Sequence, residues 1–542
     1  MTLRQLPLSL LPAAMLMSAQ QPKPPEDLCV APPSAAAPSL PARLLPGQGR
    51  VHMPITTKSP EAQAFFNQGV AQMHSFWSYE AERSFLQAAK LDPESPMPYW
   101  GIAMVAAGDY RPMFQLLDDS GQRRPSRGRA SGGLDRARQA AGKARELASR
   151  GDRREQLYVA AVAARRDPSA KDPEGGYIRA LREILRAYPQ EVEAQSYLAL
   201  ALMKGYTPPD KTPRPGSEEA VKLLREILGR EPDHVGAHHY VIHGLEGSRH
   251  ARDAWESSRR YPELAPEIPH ALHMPGHIYV QTGRFADAAA AFEAAARKER
   301  ELMAADQLYS KGHHGHNVHF LANAYCFVGN YAAAMAGSAE LLGIRENPRE
   351  ARQATNTRTA YRQGWFARLR TLVHFRKWDE ILEGSALPDY PGPRERAWRH
   401  WARGLALAAR GRTPQAQAEL AAMSDQAKAW RKVAGSDSPQ LRTALLELEG
   451  HAALSAGRAA RGLHLLERAA DLELHLRYNE PPAYPRPVLE ALGLAALQRG
   501  EFPRAETAFR RALDQNPDSP GAQEGLTAAR ARSTKILAGA GN

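Results

Sequence analysis

Histidines recur at helical spacing in three short stretches of the chain, and their side chains are the ones best suited to chemistry. The chain has 19 histidines, and most of them fall between residues 234 and 319. Residues three or four positions apart share one face of an α-helix, and two histidines at such offsets can hold one metal ion from one helix. Three sets have this spacing: His239, His243 and Glu246; His273 and His277; and His316 and His319.

A second pattern predicts the helices that would position these side chains. Several stretches fit a 34-residue frame with a small residue at position 8, Ala at 20, a bulky residue at 24 and Pro at 32. Small residues let two helices approach, the bulky residue fills the gap to the next pair, and proline stops the second helix. The sequence therefore predicts an all-α fold, a tetratricopeptide-like right-handed superhelix of antiparallel helix pairs. The clearest matches are Gly69, Ala81, Phe85 and Pro93; Gly276, Ala288 and Phe292; and Gly493, Ala505, Phe509 and Pro517.

The repeat frame places the histidines on one surface. His239 and His273 are 34 residues apart, as are His243 and His277, so both pairs take positions 5 and 9 of consecutive first helices. Glu246 takes position 12. Positions 2, 5, 9 and 12 of the first helix face the concave groove of such arrays. His316 and His319 take positions 2 and 5, so we expect all six imidazoles to point into one shared cavity.

A few other residues near this surface have no assigned role from the sequence. His270 also takes position 2, and His313 and His314 lie in the connection before the third helix. Glu480 lies in a proline-rich bend that would line the groove if the superhelix closed on itself. The remaining histidines are interpreted as structural, and His74 and His238 as packing residues.

Histidine ligands predict a transition-metal site. Neutral imidazole suits Zn, Cu, Fe and Ni, and the two cysteines, Cys29 and Cys326, cannot form a cysteine-type zinc site. Two histidine pairs already supply the four ligands of a closed structural site. The third pair and Glu246 are then surplus, which predicts a second ion or an open position for substrate. Copper or iron is preferred, zinc is possible, and Glu246 is a candidate ligand or general base.

Two functions remain open from the sequence. The first is a metalloenzyme with a mono- or dinuclear site, in which oxidative copper or iron chemistry is slightly preferred over zinc hydrolysis and a small-molecule or peptide substrate binds in the concave groove. The second is a non-catalytic scaffold that binds a peptide or stores metal. Peptide-binding grooves usually present Asn, Lys and Arg, whereas this one presents histidines, so metal binding is favoured.

The composition defines the remaining expectations. The formal net charge is +12, but arginines are interspersed with acidic residues along every helix, so no nucleic-acid partner is expected. The apolar run from Leu6 to Met17 predicts a signal peptide over residues 1–19 and export to the periplasm or beyond. No other stretch reaches the roughly 20 apolar residues of a membrane span. We expect a Pro/Ala-rich linker over 20–51, a solenoid over 52–530 with its histidine-rich site at 234–323, and a tail over 531–542.

Several motifs also resemble a bacterial family of exported tetratricopeptide-repeat proteins. They are His52-Met53-Pro54, Phe65-Phe66-Asn67-Gln68-Gly69, His239-Tyr240 with His243, His273-Met274-Pro275 with His277, His316-Asn317 with His319-Phe320, and Tyr478-Asn479-Glu480-Pro481-Pro482. The resemblance spans residues 52–530. It implies the fold but no settled activity. Asp109-Tyr110-Arg111 departs from the Gly-Pro-Asn expected of the family at this point. This rim of the groove is therefore expected to differ from that of the family.

Overall fold

The computed structural model describes residues 41–116, 131–305, 311–346 and 351–539, and the regular secondary structure of this part of the chain is almost entirely helical. Two 3₁₀ turns, Ala148–Arg150 and Ala251–Ala254, and one two-stranded antiparallel hairpin, β1 (Tyr206–Thr207) with β2 (Thr212–Pro213), complete it. In the first half the helices are α1 Pro60–His74, α2 Ser78–Leu91, α3 Pro96–Val105, α4 Met113–Leu116, α5 Ser131–Leu147, α6 Arg153–Arg166, α7 Pro173–Ala187, α8 Val192–Leu202, α9 Ser217–Arg230, α10 Val235–Leu245, α11 Trp255–Leu264 and α12 Pro269–Gln281. They continue as α13 Phe285–Ala305, α14 Lys311–Phe327, α15 Tyr331–Gly343, α16 Ala360–His374, α17 Trp378–Glu383, α18 Pro393–Ala409, α19 Thr413–Ala434, α20 Pro439–Ser455, α21 Ala459–Leu474, α22 Val488–Gln498, α23 Phe502–Gln515 and α24 Pro520–Gly539.

The predicted packing of a glycine against a phenylalanine ring is confirmed in three helix pairs. In the pair α12/α13, a Cβ atom added to Gly276 would lie 2.3 Å from the ring of Phe292, so only glycine allows this approach. Gly69 meets Phe85 and Gly493 meets Phe509 in the same way. Gly283, in the turn between α12 and α13, has a φ of +70°, a conformation that costs glycine little. The tetratricopeptide-type superhelix predicted from the sequence is therefore the observed fold.

The superhelix brings its middle repeats and its C-terminal repeats together across the groove. Arg249 and Arg252, which follow α10, form ion pairs with Asp514 in the last turn of α23 and with Asp518 just after that helix, at 3.1 and 2.6 Å. Lys211 Nζ donates a hydrogen bond to the backbone carbonyl of Gln515 at 2.6 Å. The segment 475–487, which joins α21 to α22, lies between these regions and covers the concave surface of α10 and α12. The groove is consequently closed over the histidines.

The ends of the folded region differ somewhat from the predicted boundaries. Residues 41–51, predicted to be linker, pack against the helices: Leu45 N donates to Gln68 Oε1, and Glu267 N donates to the carbonyl of Gly47. Helix α24 continues past residue 530 to Gly539. The predicted signal peptide at 1–19 lies outside the described residues. None of the described helices is long and apolar enough to span a bilayer.

Candidate metal centre

Three helices bring six histidines together as two sets of three. The first trio is His239 and His243 of α10 with His270 of α12, and the second is His273 and His277 of α12 with His316 of α14. Within each trio the candidate ligand nitrogens all lie within 4.8 Å of one another. The six side chains are only 0 to 5 % exposed. The trios are adjacent, since the rings of His270 and His273, one from each, have centroids 6.1 Å apart.

In the second trio, hydrogen bonds at Nδ1 direct the Nε2 lone pairs towards each other. His273 Nδ1 lies 2.7 Å from Asn317 Oδ1, and the amide nitrogen of Asn317 donates to other acceptors, so His273 must donate from Nδ1. His277 Nδ1 donates to Glu246 Oε2 at 2.9 Å. The Nε2 atoms of these two rings are nevertheless only 2.8 Å apart, and His316 Nε2 is 3.3 Å from that of His273. Two neutral rings in this arrangement need a cation or an extra proton between them.

The first trio has a similar arrangement. His239 Nδ1 donates to the backbone carbonyl of His74 at 2.5 Å, which leaves its Nε2 lone pair 3.0 Å from His270 Nε2. His243 Nδ1 donates to Glu246 Oε1 at 2.8 Å. Among the described residues, Nε2 of His243 and Nδ1 of His270 are buried without a hydrogen-bond partner. Nδ1 hydrogen bonds to a carbonyl or carboxylate are the usual support of metal-binding histidines, because they fix the tautomer and the ring orientation.

The separations between ring nitrogens match ligands of one ion. Metal–nitrogen bonds of about 2.0–2.1 Å with bond angles between about 90° and 109° place two ligand nitrogens about 2.8–3.4 Å apart. The observed Nε2 separations are 3.0 Å in the first trio and 2.8 and 3.3 Å in the second. The donor set and its spacing therefore fit a transition-metal ion in each trio.

Glu246 joins the two trios through the outer nitrogens of their rings. One oxygen accepts from His243 Nδ1 and the other from His277 Nδ1. Burial raises the pKa of Glu246, but His243 and His277 outweigh it and lower the pKa to about 2. The sequence predicted Glu246 as a ligand or general base. The structure places its carboxylate on the side of the rings away from the converging Nε2 atoms, which favours orienting the rings.

A second carboxylate reaches the site from far along the chain. Glu480 Oε2 contacts His277 Nδ1, and Glu480 Oε1 accepts from Gln281 Nε2 at 2.9 Å. Burial opposes the charged form of His277, but Glu480 and Glu246 outweigh it and raise the pKa of His277 to about 10. Burial raises the pKa of Glu480 to about 7. Without a metal ion, His277 is therefore the ring that is protonated on both nitrogens, and its Nε2 donates to Nε2 of His273.

Four of the other rings are kept neutral, as metal ligands must be. Burial lowers the pKa of four histidines well below the usual value, and a neighbouring imidazole lowers it further in each case. These four are His239, His270, His273 and His316. A neutral imidazole presents the lone pair that a metal ion needs.

The structure does not bring His319 to either trio, although the sequence predicted it as a ligand. Its Nδ1 lies 2.6 Å from Gln363 Oε1 on α16, and its ring packs on Phe366. Burial, with Arg370 nearby, lowers the pKa of His319 to about 3. The hydrogen bond to Gln363 and the packing on Phe366 therefore hold the His319 ring against the next repeat. His270, left open by the sequence, completes the first trio instead.

Two more histidines of α14 lie next to the trios and contact Glu299 of α13. His313 Nδ1 contacts Glu299 Oε1, and its ring centroid is 5.7 Å from those of both His270 and His273, one from each trio. His314 is bonded through both ring nitrogens, to Glu299 at 3.0 Å and Glu340 at 2.8 Å, and is structural. Sequence reasoning missed Glu299 and Asn317. Asn317 could have been noticed, because it lies between two histidines of one motif.

A further cluster beside the first trio is explained without metal. His74, His234 and Glu193 lie together, and α1 packs against α10 although they are far apart in sequence. His234 Nδ1 accepts from the backbone N–H of Ala237 at 3.0 Å, so a neutral His234 carries its proton on Nε2, which faces Glu193. Burial raises the pKa of Glu193, but His74 and His234 outweigh it and lower the pKa well below its usual range. This cluster is a hydrogen-bonded support, and His74 holds His239 through its backbone.

A comparison with known protein families agrees with the repeat fold. The tetratricopeptide-repeat family matches residues 274–313, 447–520 and 490–533. Among solved structures, yeast Tom70 is 13% identical with a TM-score of 0.36, over 88% of this chain and 96% of that one. The Cut9–Hcn1 hetero-tetramer of APC/C is 12% identical (TM-score 0.31; 86% and 76% covered), and the human IFIT1 dimer is 14% identical (TM-score 0.30; 76% and 73% covered). No curated protein sequence matches this chain.

Proposed function

We propose that this tetratricopeptide-type protein binds two transition-metal ions, one in each histidine trio. The observation that carries the proposal is the 2.8 Å separation of two Nε2 atoms, those of His273 and His277, whose Nδ1 atoms both donate to fixed acceptors. A metal ion would replace the proton that otherwise has to lie between them. The first trio supports a second ion through outer hydrogen bonds on two of its rings, those of His239 and His243.

The donor set favours a metalloenzyme. Three protein ligands leave a coordination position open, as in catalytic sites, whereas structural sites are usually closed by four. Copper or iron bound there would supply oxidative chemistry, and zinc would instead lower the pKa of a bound water. The chain's own residues hold the rings: Glu246, Asn317 and the His74 carbonyl fix the Nδ1 protons, and burial excludes bulk water. Copper or iron remains our preference, with zinc possible.

Metal analysis of untagged protein tests the proposal. Purified full-length protein, supplemented with copper, iron or zinc and then dialysed, should hold up to two ions per chain by inductively coupled plasma mass spectrometry. His277→Ala and His243→Ala should each lose one ion. The matched control is His238→Ala, because His238 lies on the same helix as His243 but bonds to Ser257 and the carbonyl of Pro232. Wild-type protein with less than about 0.2 ion per chain would refute metal binding, since a site with this many ligands should bind tightly.

The alternative is a non-catalytic tetratricopeptide scaffold. Its support is the closed groove, which buries the histidines. The sequence had instead predicted a groove open to a substrate. In this case the histidine network would be structural, and a peptide partner would bind another surface of the superhelix. Equal metal content in wild type, His243→Ala and His277→Ala would favour this function.

A further inference from the structure

Residues of the β1/β2 hairpin and of the segment 475–487 line a pocket of about 140 Å³. Glu246 and Gly247, which follow α10, also line it. The pocket is smaller than the roughly 300–1,000 Å³ of sites for drug-sized ligands, so it suits a small molecule. Because Glu246 bonds to His243, the pocket lies next to the first trio.

Cationic side chains dominate the charged part of this lining. Lys204, Lys211 and Arg214 lie in or beside the hairpin, and Arg477 lies in the segment 475–487. All four are half-buried, so they remain in contact with the solvent of the pocket. Among the described lining residues Glu246 is the one carboxylate, and both of its oxygens already accept from histidines. The pocket therefore has an excess of positive charge.

The three cations of the hairpin region have donors to spare. Within the described part of the chain, Lys204, Lys211 and Arg214 form no ion pair. Lys211 Nζ donates one hydrogen bond, to the carbonyl of Gln515 at 2.6 Å, and an ammonium group has two further donors. These donors can be satisfied by acceptor oxygens of a ligand in the pocket.

The charge of Lys211 is not balanced by its surroundings. Burial lowers the pKa of Lys211, and Arg249 lowers it further, although Asp514 opposes both effects. Asp514 is itself paired with Arg249 at 3.1 Å. An anion near Lys211 would favour its charged form.

The number of unpaired cations favours a phosphate group over a carboxylate. A phosphate monoester carries a charge of about −1.5 to −2 at pH 7 and three strong acceptor oxygens, whereas a carboxylate has one charge and two oxygens. Lysine and arginine are the usual side chains that bind phosphate. Apolar side chains line another part of the pocket and can contact a short carbon chain; they are Phe114, Leu474 and Leu476.

We infer that this pocket binds the phosphate group of a small molecule, with Lys204, Lys211 and Arg214 as its contacts. The inference does not rest on the proposed metal site. Binding is therefore measured on full-length protein both as purified and after treatment with a chelator. Binding that disappears with the metal would show that the phosphate binds a metal ion, and would overturn the inference.

Three probes separate the charge of the ligand from its carbon chain. Butyl phosphate and pentanoate carry the same alkyl chain on different anions, and inorganic phosphate carries no chain. Calorimetric titration should show butyl phosphate binding about tenfold or more tighter than pentanoate, because it makes additional charge-assisted hydrogen bonds. Inorganic phosphate that binds as tightly as butyl phosphate would identify the free ion as the ligand, and weaker binding would identify a phosphate monoester. Equal affinity for butyl phosphate and pentanoate, or no binding of either phosphate, would overturn the inference.

Three single variants locate the binding. Lys204→Gln, Lys211→Gln and Arg214→Gln each remove one cation from a half-buried position, and each should weaken the binding of butyl phosphate about fivefold or more. Lys222→Gln on α9 is the control, because it removes the same charge from a side chain that is 79% exposed, and it should bind as wild type does. If all three variants bind within about twofold of wild type, the anion binds elsewhere and the inference is refuted. If the phosphates bind as expected but no metal does, this inference stands and the proposed function fails.

Discussion

Replacing Glu246 with glutamine tests whether this carboxylate orients the rings of both trios. Glu246 accepts from His243 Nδ1 at 2.8 Å and from His277 Nδ1 at 2.9 Å. Glutamine has one oxygen and one NH₂ group, so it can accept from only one of the two rings. The other ring then faces a donor and is driven to the tautomer with its proton on Nε2, which removes a ligand lone pair. We therefore expect Glu246→Gln to weaken one metal position and spare the other.

The size of the effect follows from one lost charge-assisted hydrogen bond. Such a bond contributes about 1.5–3 kcal/mol, which corresponds to a decrease in metal affinity of about tenfold to about a hundredfold. The assay is competition titration against a chromophoric chelator with the metal that the protein carries, resolved into two stepwise affinities. Glu256→Gln on α11 is the matched surface control. Both affinities within about threefold of wild type would refute the orienting role, and complete loss of one ion would identify Glu246 as a direct ligand.

Three shorter tests address packing, the cover of the groove and export. Gly276→Ala should lower the free energy of unfolding by about 1–3 kcal/mol, measured by thermal denaturation, because the new Cβ would lie 2.3 Å from the Phe292 ring. Gly142→Ala is the control and should not destabilise the protein, because no atom lies within 4 Å of the added Cβ. Arg370 donates to three backbone carbonyls between residues 482 and 485, so Arg370→Gln should speed limited proteolysis of the segment 475–487, and an unchanged rate would contradict this support. We propose that residues 1–19 are removed on export; an intact mass that includes Met1 in native protein would contradict that cleavage.

The repeat architecture was readable from the sequence because its causes are local. Helical periodicity is set by neighbours three and four residues away. The Gly276–Phe292 approach recurs within one helix pair, so the frame that predicts it needs no knowledge of distant repeats. The same frame assigned His239 and His273 to equivalent positions of consecutive first helices. It could also predict that both would face the concave side.

The sequence could not predict which ring nitrogens of the histidines point towards one another. Ring orientation depends on the acceptor that each Nδ1 meets, and those acceptors come from other helices: the His74 carbonyl on α1 for His239, and Asn317 on α14 for His273. His319 shows the limit most clearly. Its repeat position matched that of His239, but its Nδ1 meets Gln363 on α16, and the ring turns away from both trios.

By itself, the sequence determined the helices, their pairing and the face on which the histidines lie, because these depend on spacing along a single helix or pair. Only the tertiary structure decided that the histidines form two trios and that the groove above them is closed. Closure depends on contacts between residues more than 260 positions apart, such as Arg252 with Asp518. It also depends on Glu480, which reaches His277 from the connection between α21 and α22. Such contacts arise from the accumulated rotation of many repeats, which no local pattern specifies.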